Sequence, residues 1–236
     1  MQPRSRSRRQ LLLGTTALAI GFAAKGVSGA EKKKEKEVEA AEDLMREHGV
    51  LRRVLLAYSA VAGRLRGTGA NDLPSKPLAE AASLFRTFGE QYHERALEEK
   101  HVFPVVERVK GEAARYAVIL KAQHDRGREI TDYISSVTRA GRIASSDQAP
   151  LAGALDAFVL MYQHHTAIED TVVFPAWKEA LPEKQYAELS EQFEDLEQKM
   201  FGRDGFEDAV KRVASIEKAL GLSDLASFTA PPPPGK

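Results

Sequence analysis

The seven residues Glu98-Glu99-Lys100-His101-Val102-Phe103-Pro104 recur 71 positions later as Glu169-Asp170-Thr171-Val172-Val173-Phe174-Pro175. A histidine precedes each copy, His93 by five residues from Glu98 and His165 by four from Glu169. Acidic side chains set in apolar helical segments need a neutralising partner, because an unpaired buried carboxylate is strongly disfavoured against water. A metal ion is the expected partner. Residues four apart project from one helix face, so an imidazole and a carboxylate at that spacing reach the same ion or two adjacent ions.

The surrounding pattern is helical. Leu44, His48, Leu51, Leu55, Tyr58, Ala62 and Leu65 keep a four-three spacing that winds one stripe along a single face, with His48 in the stripe. Gly67 to Pro77 reads as a loop, and a second helix is expected from about Leu78 to Val109. A third, from about Glu112 to Thr138, carries Ala113, Ala117, Leu120, His124, Gly127, Thr131 and Ile134 inward. After a loop from Gly141 to Pro150, a fourth carries Leu151, Leu155, Phe158, Tyr162, His165, Glu169 and Val172. The expected fold is all-α: an antiparallel up-down four-helix bundle over residues 42–180, with facing helices able to build a metal site between them. Residues 181–221 hold no histidine and read as additional C-terminal helices, with Pro182 suited to the opening turn.

Composition narrows the function classes. The 236-residue chain is 43% apolar and 29% charged, ordinary for a globular protein. Lys plus Arg and Asp plus Glu both total 34, so no global field favours nucleic acid or an anionic membrane. The absence of cysteine excludes disulfides, iron-sulfur clusters and thiol nucleophiles, leaving His, Asp and Glu as ligands for hard or borderline metals. Residues 1–30 have the make-up of an export signal: Arg4, Arg6, Arg8 and Arg9, an apolar run from Leu11 to Ala24, then Ser28-Gly29-Ala30. Ser7-Arg8-Arg9-Gln10-Leu11-Leu12 also resembles a twin-arginine signal, whose pathway carries folded, cofactor-loaded proteins. The expected location is therefore exported, periplasmic in a bacterium, with no stable membrane span once the signal is removed. Residues 31–41 form a charged lead-in, and residues 222–236 a Pro-rich tail.

At these residues the chain resembles the hemerythrin-like, or HHE cation-binding, family, over about Glu42 to Lys178. Members are four-helix bundles holding two bridged irons, with one His on the first and third helices and a His-x-x-x-Glu pair on the second and fourth. His48 and His124 match the lone histidines, His165-Thr166-Ala167-Ile168-Glu169 the fourth-helix pair, and Phe174-Pro175 the closing Phe-Pro. The resemblance implies a carboxylate-bridged di-iron centre, oxo- or hydroxo-bridged, on His48, His93, Glu98, His124, His165 and Glu169. It implies a protein that binds or senses oxygen, nitric oxide or iron. The alternatives are a di-iron redox enzyme acting on peroxide or nitric oxide, and a metal-free structural bundle.

Two departures from the family pattern stand out. On a straight α-helix, His93 and Glu98 would be rotated about 140° apart. Leu78, Ala82, Phe85 and Gly89 form a stripe leading to His93, while Val102, Val105 and Val109 lead back to Glu98, one residue out of phase. A single π-bulge between His93 and Glu98 would restore the phase. A competing ligand choice is Glu94 with Glu98 and His101, which resembles the Glu-x-x-His of ferritin-type sites but strands His93. The second departure is Arg128, where oxygen-carrying hemerythrins place a second His one turn after the first. It changes the ligand count and brings a cation near the site. His101 reads either as a fifth imidazole or as a histidine at the core edge or surface. His164, turned about 100° from His165, reads as an outer partner or a surface residue. Tyr92 and Tyr162 either line the pocket or pack as core, and Phe103, Phe174 and Trp177 read as core.

Overall fold

In a computed structural model of the chain, residues 38–67 and 73–234 are described. The export signal and the lead-in up to residue 37 lie outside the described residues. All regular structure among the described residues is helical. Helix α1 (Ala40–Leu65) is followed by α2 (Ser75–Leu84), which runs on without a break as a π-helix (Phe85–Val102) and a last α-turn, α3 (Phe103–Val106). Next come α4 (Glu112–Thr138) and α5 (Ser145–Ile168). The latter continues as a second π segment (Glu169–Val173) into α6 (Phe174–Glu179). Helices α7 (Glu183–Phe201) and α8 (Gly205–Ala219) form a C-terminal hairpin, and Leu225–Phe228 makes a 3-10 turn.

Two boundaries and one change of phase differ from the periodicity. The second helix starts at Ser75, inside the expected loop, because Pro77 lies in its first turn, where a missing N–H costs no helical bond. The fourth starts at Ser145 with Pro150 inside it, so the polar run from Ser145 to Gln148 is helix rather than loop. The change of phase on the second helix is not one bulge: π geometry extends over the eighteen residues from Phe85 to Val102.

The core is one apolar cluster. Tyr58, Phe85, Phe158 and Tyr162 meet with ring centroids 4.6 to 6.5 Å apart, mostly edge to face, a preferred aromatic geometry. Each such buried ring contributes about 1.5–3 kcal/mol over leaving it in water. Helices α1 and α5 run antiparallel, since Arg52 reaches Asp170 and Thr166 while Arg66 reaches Ala152 and Asp156. The C-terminal hairpin packs on α1, α2 and the first π segment. Its Tyr186 hydroxyl and Ser190 Oγ accept the N–H groups of Ala41 and Ala40, at 2.9 and 3.1 Å. The chain folds so that α7 supplies the cap that α1, opening after Glu39, does not make for itself. No helix among the described residues is long and apolar enough to cross a membrane.

Candidate metal centre

Both π segments stop at a Phe-Pro pair. Phe103 donates its N–H to the carbonyl of Glu98, and Phe174 donates its own to that of Glu169, each five residues back. A proline ring collides with the carbonyl four residues before it in an α-helix. Pro104 and Pro175 therefore favour a wider turn just ahead of them, and each widened turn contains or begins at the acidic residue of the repeat. In the first segment the wider winding turns His93 and Glu98 to the same side, with His93 Nε2 3.2 Å from Glu98 Oε1. In the second, His165 and Glu169 are already one α-turn apart and their tips lie 3.1 Å from each other.

The six inward tips belong to two groups. His48, His93 and Glu98 make one; Glu98, His124, His165 and Glu169 make the other. Glu98 belongs to both, its Oε1 facing His93 and its Oε2 3.4 Å from His124 Nε2. Glu169 Oε2 lies 3.3 Å from His48 Nε2 as well as near His165. All six side chains are at most 3% exposed. His48 Nε2, His93 Nε2 and all four oxygens of Glu98 and Glu169 are buried without a hydrogen bond of acceptable geometry. His124 and His165 point Nε2 atoms at each other across 3.1 Å. With neutral imidazoles whose Nδ1 carries the proton, tips facing one another in this way have no donor between them, which is costly in a dry core. Separations of roughly 3.0–3.4 Å are those between ligand atoms around one ion with bonds of about 2.1 Å. The donor set fits a metal cation in either group, with Glu98 within reach of both.

Each imidazole is aimed by its other nitrogen. His48 Nδ1 meets Asp170 at 2.6 Å, His93 Nδ1 meets Glu47 at 2.7 Å, His124 Nδ1 meets Glu99 at 3.0 Å and His165 Nδ1 meets Gln123 at 2.9 Å. Such partners fix the tautomer and ring direction of a metal-ligating histidine. Phe174 stacks on His48 and Phe103 on His124, both with centroids 5.4 Å apart, so the Phe of each Phe-Pro pair steadies a lone histidine. Sequence reasoning missed the four Nδ1 partners. The available signal is adjacency, since each directly precedes or follows a candidate ligand in the chain.

The electrostatics follow from this geometry. Burial alone would lower His124, but Glu94, Glu98 and Glu99 around it raise it to about 10. His93 is likewise held well above its usual value by Glu98 and Glu47 against burial. Burial pushes Glu98 up, but His93 and His124 outweigh it and hold the carboxylate well below its usual range. Glu99 is brought down to about 2 by His124 and Arg128 against the same penalty. A cation entering the centre competes with protons for these lone pairs, so binding releases protons.

The remaining candidates sit outside the two groups. Glu94 forms a third group with Glu99 and His124, and its carboxylate accepts the Tyr162 hydroxyl at 2.7 Å and Arg128 at 3.2 Å. Arg128 also contacts Glu99 and Asp125, so its guanidinium lies among carboxylates on the outer side of His124. Tyr162 packs on His165, ring centroids 5.1 Å apart. Tyr92 turns instead to Phe88 and to Phe201 of the hairpin. His101 lies apart from the groups, half-buried beside Phe193, while its carbonyl accepts the Trp177 indole N–H at 2.9 Å. His164 is exposed.

The profile of the hemerythrin HHE cation binding domain matches residues 39–177, the stretch that carries all six inward tips. Two curated relatives, from Mycobacterium tuberculosis and Mycobacterium bovis and both described as uncharacterized proteins, are each 41% identical over 208 residues, covering 87% of this chain and 79% of theirs. No solved structure shows a significant match. The paired ligand groups and the matched span lead to one assignment: the chain belongs to the hemerythrin HHE cation-binding family.

Proposed function

We propose that the protein is an exported metal protein that holds two irons, bridged by Glu98 and Glu169 and by an oxo or hydroxo group, in an antiparallel up-down four-helix bundle, and that it binds or senses oxygen, nitric oxide or iron. One observation carries the reading: Glu98 faces a histidine of each group with a different oxygen, so the two groups share a carboxylate. His48, His93, His124 and His165 would supply the nitrogen ligands. Iron suits the mixture of imidazole and carboxylate and would supply affinity for a diatomic ligand where a coordination position stays open. Export rests on the make-up of residues 1–30.

Elemental analysis with an optical spectrum, on protein exported by its own signal, tests this directly. Two irons per chain and an oxygen adduct that bleaches reversibly under vacuum are expected. Zinc or no metal in the exported protein would overturn the assignment of iron. Sustained consumption of peroxide or nitric oxide would replace the binding role with a redox enzyme.

A further inference from the structure

The centre has an internal two-fold pattern that fails at one point. His48 and His124 are each backed by the acid that follows the glutamate of the opposite repeat, Asp170 and Glu99, and each acid is also paired with an arginine, Arg52 or Arg128. These two arms are equivalent in chemistry, and both acids are 18% exposed. His93 and His165 are backed by the residue that precedes the lone histidine, and there the arms diverge. His93 has Glu47, a carboxylate 1% exposed. His165 has Gln123, a half-buried neutral amide.

The C-terminal hairpin deepens the difference. It lies beyond the family-matched span, yet it covers the Glu47 side: Phe201 packs on Tyr92 next to His93, Phe206 lies 4.6 Å from the Arg46 guanidinium, and Tyr186 caps the helix that carries Glu47. Around Gln123, the side chains of Lys121, Ala122, Asp125 and Arg126 face solvent. A carboxylate on the outer N–H makes an imidazole more basic and a tighter ligand. Its charge-assisted bond is roughly twice as strong as a neutral one, and stronger still where water is excluded.

We propose, on the reading of this site as a two-ion centre, that the ions are held unequally: Glu47 and the hairpin make the His48–His93 ion the retained one, and Gln123 leaves the His124–His165 ion exchangeable. Glu47 and Gln123 act as positioning residues, through the histidines they back.

The test is chelator-driven release from chain loaded anaerobically with two ferrous ions, followed as the coloured ferrous complex. Wild-type protein is expected to release one ion in a fast phase and one in a slow phase. Glu47→Gln should speed only the slow phase, by about 10–100-fold, the usual effect of losing an outer partner. Gln123→Glu should slow only the fast phase. General loosening of the fold would move both phases together, so this pattern separates positioning from stability. A single phase in the wild type, or Glu47→Gln acting on the fast phase or on both equally, overturns the inequality while leaving a two-ion centre intact. Loading of fewer than two ions overturns that underlying reading as well. Should Glu47→Gln fail to fold, Gln123→Glu on the exposed side decides alone, and an unchanged fast phase there counts against the proposal.

Discussion

A Cβ built on Gly127 would lie 2.2 Å from the hydroxyl of Tyr162 and 3.0 Å from two of its ring carbons, so α4 and the Tyr162 ring meet at a distance that only glycine allows. The ring cannot swing aside. It is 1% exposed, its hydroxyl donates to Glu94 at 2.7 Å, and Phe85, Phe158 and His165 pack around it. Gly127→Ala should therefore destabilise the chain by about 1–3 kcal/mol, against a helix-propensity gain of up to about 1 kcal/mol. Adding Tyr162→Phe, which removes the nearest clashing atom, should restore part of the loss. Urea denaturation of the single and double variants measures it, and strict additivity would contradict the contact.

Glu98 faces a histidine of each group with a different oxygen, and its loss should therefore empty both positions. Glu98→Ala is expected to purify with almost no metal. His165→Ala or Glu169→Ala should lose metal together with part of the stability. His164→Ala, an exposed residue next to a ligand, should keep the metal content and melting point of the wild type. Elemental analysis of all four reads this out, and equal metal in His164→Ala and His165→Ala would remove the ligand assignment.

Glu197 of α7 is a second buried acid with a measurable consequence. Burial raises it to about 8, with Glu47, Asp204 and Asp43 adding to the rise and only the Phe206 N–H, at 2.7 Å, opposing it. In the unfolded chain the same group ionises near its ordinary value, 4.5. The folded chain thus binds the extra proton, and its contribution to stability is complete below pH 4.5, declines as pH rises towards 8 and is flat above. Glu197→Gln should cancel that decline. Thermal melts at pH 5 and pH 8.5 are expected to show wild type and variant diverging by several degrees only at the higher pH, since ~1 kcal/mol moves Tm by ~2–4 °C in a chain of this size.

Arg128 holds Glu94, Glu99 and Asp125, and the first two form a cation-sized group with His124. Removing the guanidinium leaves Glu94 with the Tyr162 hydroxyl and Glu99 with His124 Nδ1, so the cost falls short of the ~3–5 kcal/mol of breaking a fully buried ion pair from one side. Arg128→Ala should lower the melting temperature, and added Mn2+ should recover more of it than in the wild type by occupying that third group. Calorimetry of both proteins with and without the ion checks this; equal shifts would mean that the carboxylates disperse once the guanidinium is gone.

Some of this was legible from residue order alone. A four-three spacing places every fourth or third side chain on one face whatever the helix packs against, so His48, His124, His165 and Glu169 could be marked as inward before any helix was located in space. The bounds of α4, Glu112–Thr138, are those the pattern implied, because Gly111 ahead of it and the Gly141 turn after it are local signals. The misfit between His93 and Glu98 was equally visible as a change of phase. Its remedy was not. A hydrophobic pattern reports that the register shifts but not over what length, and the observed π geometry spans eighteen residues, against partners on both sides. The helix starts at Ser75 and Ser145 escaped for a related reason: proline tolerance depends on position in a turn, and a stripe does not mark where a turn begins.

The outer partners belonged to tertiary structure entirely. Glu47 backs His93 across two helices, and Asp170 backs His48 from 122 residues further along the chain. Periodicity along one helix fixes an angle about its own axis and nothing about the rotation, crossing and axial offset of its neighbour. Those are set by side-chain packing between helices, by the hairpin laid over α1, and by the close approach that Gly127 permits. Ligand types and their facing are therefore written in residue order, while the shared carboxylate and the unequal backing of the histidines exist only once the helices have packed.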